Sequence, residues 1–118
     1  MHRLAMALAT VLPLVAHAVL AADGDATAGK KLYVSNCQSC HGNKGQGAVG
    51  KRLAGDAAYW DFPIFKRTVV EGIDDENRRM KVMPVFGKVG LSNPKGHVPS
   101  DSDLANLQAY LRTFAPPE

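Results

Sequence analysis

Residues 37–41 read Cys37-Gln38-Ser39-Cys40-His41, and the rest of the chain is arranged around them. Two residues between the cysteines put them at i and i+3, so one helical turn carries both thiols on one face. His41 follows Cys37 at i+4, on that same face. C-x-x-C-H is the spacing that attaches a c-type haem: each thiol adds across one porphyrin vinyl group, and the imidazole reaches the iron as proximal ligand. The sequence holds two cysteines, and the motif uses both.

Other uses of these residues fit less well. A redox C-x-x-C pair belongs in a thioredoxin-like βαβ setting, whereas the lead-in here reads as helix. A structural zinc site needs a second pair of ligands. Only His97 lies downstream, and adjacent Cys40 and His41 would strain one tetrahedral site. A disulfide between Cys37 and Cys40 would close a very small loop and stabilise little.

The N-terminus has a different character. Met1-His2-Arg3 is a short positive segment, residues 4–20 are apolar, and small residues precede the polar Asp23-Gly24-Asp25. That is the layout of a secretory signal peptide. Residues 1–22 are expected to be the signal and residues 23–118 one mature domain. An uncleaved anchor is the alternative, since the apolar run nearly reaches membrane-spanning length; Pro13 and His17 favour cleavage. With Arg3 removed, thirteen Lys and Arg face eleven Asp and Glu, so the mature chain is nearly neutral and nothing in it calls for nucleic acid. A mature chain under a hundred residues is marginal on its own core, and a covalent porphyrin supplies a large apolar body for helices to wrap.

Taken in order, residues 25–36 read as a first helix capped by Asp25, with Ala28, Leu32 and Ser35 on one face and Gly29 and Tyr33 on a neighbouring one. Four glycines in residues 42–50 mark an irregular loop that passes one haem edge. Residues 57–61 form a short helix holding Trp60, whose indole N–H needs a polar partner. Residues 63–72 form the next helix, opened by Pro63 and closed by Gly72, with Ile64, Phe65, Thr68 and Val69 apolar-facing. Residues 73–80 are a charged connector. Residues 90–99 are a loop, and residues 100–114 the clearest helix, capped by Ser100 or Asp101 and stopped by Pro116-Pro117.

Val82-Met83-Pro84-Val85-Phe86-Gly87 is the second chemically informative stretch. Thioether sulfur is a soft ligand suited to haem iron. Pro84 keeps Met83 out of helix, which lays the sulfur on an extended segment over the distal haem face. Met80 competes for that role without a proline behind it, and Met83 could instead be core filler. His97 would give a bis-histidine iron, against its default as an exposed loop residue.

Together these parts resemble a class I monohaem c-type cytochrome of bacteria. The likeness rests on Cys37-x-x-Cys40-His41-Gly42, on Met83-Pro84-x-Phe86 and on paired terminal helices, and it spans residues 25–114. It implies an all-α cytochrome c fold, with three main helices, short helices and loops around one covalent haem c. It implies Cys37 and Cys40 as the haem-binding thiols, and His41 and Met83 as axial iron ligands. It also implies that Gly29 and Tyr33 of the first helix cross Leu107 and Tyr110 of the last. The family usually carries Gly-Pro-x-Leu after the glycine loop, the proline carbonyl accepting from the proximal histidine. Here Gly50-Lys51-Arg52-Leu53 stands there, and the Lys51 carbonyl would have to serve.

The expected function is one-electron, outer-sphere transfer in the periplasm, without enzymatic turnover. The protein works as a free carrier, or else as the dedicated cytochrome subunit of a larger dehydrogenase or oxidase. Redox proteins are its partners, and no membrane is involved if the signal is cleaved. Lys30, Lys31, Lys44, Lys51 and Arg52 flank the haem motif and would steer an acidic partner.

Overall fold

The computed structural model describes residues 7–13 and 24–116. The signal peptide falls largely outside the described residues. Along the chain run helices α1 (Ala26–Asn36) and α2 (Gln38–His41), a 3₁₀ turn (Ala57–Tyr59), then α3 (Phe62–Glu71), α4 (Phe86–Val89) and α5 (Asp101–Leu111). Among the described residues there is no strand, only the isolated bridges Ile73–Arg79 and Leu91–His97. The fold is all-α, with α1, α3 and α5 as its three main helices, as the sequence implies.

The helix limits follow from local chemistry. The Asp25 carboxylate accepts from the backbone N–H groups of Thr27 and Ala28, satisfying donors that a helix start leaves orphaned. Ser100 and Asp103 form a reciprocal capping box at α5. Pro63 lies in the first turn of α3 and Gly72 ends it in the left-handed region at φ 73°. The last helix stops at Leu111 rather than running to Phe114. The N–H groups of Thr113 and Phe114 bond the Tyr110 and Leu111 carbonyls in a tighter turn, and the Arg112 guanidinium leaves to donate to the Ala58 carbonyl at 2.8 Å.

The crossing of α1 over α5 sets the frame. A Cβ at Gly29 would fall inside the Asn106 carbonyl, so the two backbones touch there. Tyr33, fully buried, packs against Tyr110 and Phe114 with ring centroids at 5.4 and 5.5 Å, and those two rings meet edge-on at 4.9 Å. Gly29 and Tyr33 form the buried face of α1; on the neighbouring face Ala28 and Leu32 are half-buried and Ser35 is exposed. Leu104, Leu107 and Leu111 bury the facing side of α5. Phe65 and Val69 of α3, Phe86 of α4 and Leu91 complete the core.

Candidate functional site

The haem motif spans a helix junction. Cys37 ends α1 and caps α2; its N–H bonds the Tyr33 carbonyl, and its own carbonyl accepts from the N–H of His41 at 3.0 Å. The single turn of α2 thus carries Cys40 and His41. Cys40 is exposed, Cys37 half-buried and His41 buried. Burial pushes the Cys37 thiol up to about 12, with the neighbouring Cys40 adding to the effect.

His41 is held from behind. Its Nδ1 lies 2.7 Å from the Lys51 carbonyl oxygen. An imidazole that donates its Nδ1–H there keeps an unprotonated Nε2, the form able to bind a metal. The loop is shaped for this contact: Gly50 bonds the Cys40 carbonyl at 2.7 Å, and Gly47 the His41 carbonyl at 2.9 Å. The absence of proline at position 51 therefore leaves the carbonyl in place. Tyr33 ties the same loop to the core by donating its hydroxyl to the Gly42 carbonyl at 2.5 Å. Burial raises the Tyr33 phenol to about 12, with Cys37 and Tyr110 contributing, so it stays a donor at any physiological pH.

Cys37, Cys40 and His41 line a cavity of about 390 Å³ together with Met80, Met83, Pro84, Trp60, Phe65, Phe86 and Leu107. The wall is overwhelmingly apolar, with thiols and an imidazole on one side and thioethers among the other lining groups. That donor set and apolar lining fit a porphyrin carrying iron. Both methionines reach the cavity; Met83 also packs against the core cluster. His97 is not part of the lining. Its Nε2 lies 2.7 Å from the carboxylate of Asp103 in the first turn of α5.

Other groups support the cavity wall. The indole N–H of Trp60 donates to Asp56 at 3.0 Å, and the Lys51 ammonium pairs with Asp56 at 3.2 Å while lying 5.1 Å above the Trp60 ring. Gln108 is buried, its amide donating to the Ala57 and Trp60 carbonyls. Asn36, just before Cys37, accepts from the Ser92 N–H at 2.8 Å. Polarity alone marks Gln108 and Asn36 as surface residues; only the fold reveals the carbonyls and amides they satisfy. The five basic residues expected to surround the mouth are not equivalent. Lys51 alone lines the cavity, already paired, and Lys31 lines a separate depression with Asn93, Asp103 and Asn106. Val49 and Val82 also line the cavity, each 83 % exposed.

A small helical domain with a C-x-x-C-H turn opening into an apolar cavity defines a covalent haem protein. Residues 24–111 match the family described as cytochrome c oxidase, cbb3-type, subunit III, and the chain belongs to this family of cytochrome c domains. Cytochrome c-554(547) of Halothiobacillus neapolitanus is 34% identical over 93 residues, covering 77% of this chain and 98% of that protein. Cytochrome c6 of Picosynechococcus sp. is 29% identical over 116 residues, 92% of this chain and 89% of the relative. Among solved structures, the c-type cytochrome XoxG from Methylobacterium extorquens AM1 superposes with a TM-score of 0.53 at 24% identity, over 75% of this chain and 48% of the other; this likeness concerns the fold. The chain spans about half the length of that structure. As a member of this cytochrome c family, the protein binds one covalent haem c and carries electrons. Among the described residues no helix is long and apolar enough to cross a membrane.

Proposed function

We propose that the protein is a periplasmic one-electron carrier whose iron is closed by His41 and Met83, with Cys37 and Cys40 holding the porphyrin and residues 1–22 removed as a signal peptide. The observation that carries this reading is an apolar cavity lined at once by Cys37, Cys40, His41 and Met83. When bound, the haem supplies an iron that alternates between ferrous and ferric.

The chain's own residues do the rest. Lys51 fixes the His41 ring through its carbonyl, and the Nδ1 proton drawn toward that oxygen leaves more electron density on the ring, which makes His41 the stronger donor. Met83, as a thioether donor alongside the His41 imidazole, would favour the ferrous state. Phe65, Phe86, Leu107 and Trp60 exclude water, so little solvent rearranges when the charge changes. With His41 and Met83 both holding the iron, no substrate would need to meet it, and the exposed Cys40 marks the side through which electrons would pass. Docking there is small and transient, through an apolar rim of Val49 and Val82.

A second reading, a permanently held cytochrome subunit of a larger redox complex, is favoured by the family description, which names an oxidase subunit. Size-exclusion of native extract separates the two: a free carrier elutes as a small monomer. The closed iron is tested by exposing the reduced protein to carbon monoxide. The reading expects slow or negligible binding; rapid binding with an unchanged spectrum elsewhere would mean an open iron site.

A further inference from the structure

The charged stretch 73–80 reads in the sequence as a solvated connector, yet it is folded tightly onto α3. Its ends are closed by backbone bonds, Asp74 N–H to the Arg78 carbonyl at 2.8 Å and Met80 N–H to the Gly72 carbonyl at 2.8 Å. Inside, the Asp74 carboxylate accepts from the backbone N–H groups of Arg78 at 2.7 Å and Glu76 at 3.0 Å, and from the Arg78 guanidinium at 3.0 Å. Those bonds, the Arg78 N–H first, hold Asp74 below its ordinary carboxylate value. Asp74 also lines the haem cavity.

Arg67 of α3 fastens this loop from below. One terminal nitrogen donates to the Asp74 carbonyl at 3.2 Å and the other to the Asn77 side chain at 3.2 Å. Its Nε is buried without a partner, a cost that the bracing arrangement tolerates. Beyond Met80 the chain changes character. From residue 81 to the first turn of α4, no backbone N–H among the described residues donates to a protein carbonyl. Met83 therefore hangs between two anchors. Downstream is α4, whose Gly87 lies against the Val70 carbonyl of α3 with no room for a side chain. Upstream is the loop that Arg67 braces. Both anchors rest on α3.

We infer that Arg67 is a positioning residue for the iron–sulfur bond: by clamping residues 74–77 to α3 it fixes the upstream end of the Met83 segment. This rests on the reading of Met83 as axial ligand. The Met80–Gly72 backbone bond remains without Arg67, but a segment less firmly held at one end samples more conformations, so the sulfur spends less time at bonding distance, and an external ligand competes more easily for the iron.

The test is an imidazole titration of the ferric holoprotein, followed by the methionine–iron charge-transfer band. Arg67→Ala is expected to bind imidazole about tenfold more tightly than the parent and Asn77→Ala about threefold, the scale of two hydrogen bonds and one. Haem content and the ferrous α-band should be unchanged. Lys66→Ala, one residue away and paired with Asp101 instead, should bind imidazole like the parent. Asn77→Ala removes one arm of the brace from an exposed loop and decides the matter if Arg67→Ala fails to take up haem. Parental imidazole affinity in Asn77→Ala and in any haem-loaded Arg67→Ala overturns the inference. A parent protein with no methionine–iron band overturns the His/Met reading itself, a different outcome.

Discussion

The Nδ1 of His41 sits 2.7 Å from the carbonyl oxygen of Lys51. The contact belongs to the backbone, so its strength does not depend on which side chain occupies position 51. What it does depend on is the close approach of the preceding residue: a Cβ at Gly50 would lie 2.8 Å from His41 Cε1 and 2.9 Å from Nδ1.

Two substitutions separate these influences. Lys51→Ala removes the Asp56 ion pair and the cation–π contact but keeps the carbonyl. It should leave the visible spectrum and reduction potential near parental and cost no more than about 1 kcal/mol of stability, the scale of an exposed pair. Gly50→Ala pushes the imidazole off its acceptor, and the reduction potential should shift. Voltammetry of both variants distinguishes them, and parental behaviour in Gly50→Ala would remove the contact from the account.

Gly29 is the second constrained glycine. In an unobstructed helix Gly→Ala stabilises by about 1 kcal/mol. Here the added methyl group meets the Asn106 carbonyl, backbone that cannot swing aside. Gly29→Ala should therefore destabilise, by roughly 1–3 kcal/mol as for other overpacked sites, measured by thermal unfolding of the holoprotein.

This crossing was legible through the resemblance to class I cytochromes c, which implies that a glycine and an aromatic on the first helix meet a leucine and an aromatic on the last. So were the caps, since Asp25, Pro63, Gly72 and Ser100 act on neighbours within four residues, and the haem turn, whose chemistry is set by spacing alone. Less legible was whatever polar side chains do across long separations. Gln108 reaches the carbonyls of Ala57 and Trp60, and Arg112 that of Ala58, about fifty residues away; no local pattern encodes such pairings. The loop at residues 73–80 looked solvated because its charges satisfy one another and the backbone. The brief helix α4 was hidden because Pro84 and Gly87 obscure any periodicity.

Asp103 gives the fold an acid-side dependence. Burial alone would raise its carboxyl, but the Ser100 N–H, the His97 ring and the Ser100 hydroxyl outweigh this and hold it below 3.8. A depressed folded value means stability that is present above the unfolded value and lost as pH falls through the folded one. Asp103→Asn should cost about 0.5–2 kcal/mol at neutral pH, the worth of a helix cap. The gap between variant and parent should narrow as pH falls below 3.8 and close once it has passed the depressed folded value. Urea unfolding at several pH values checks this; a gap independent of pH would assign the loss to packing.

Docking should depend only weakly on salt. Val49 and Val82 line the cavity and are exposed, and the lysine that lines it is paired with Asp56. Electron-transfer rates with a purified redox partner should change little as ionic strength rises across the physiological range, where exposed charges are screened beyond about 8 Å. Val82→Asp should slow transfer more than Lys44→Ala does.

The central claim is a closed iron bound by His41 and Met83. The most direct measurement is the near-infrared charge-transfer band of the ferric protein in two variants. Met83→Ala should lose the band and its reduced form should bind carbon monoxide rapidly, whereas Met80→Ala should keep the band and resist carbon monoxide. Loss of the band in Met80→Ala with its retention in Met83→Ala would contradict the account and move the ligand to the loop that Arg67 braces.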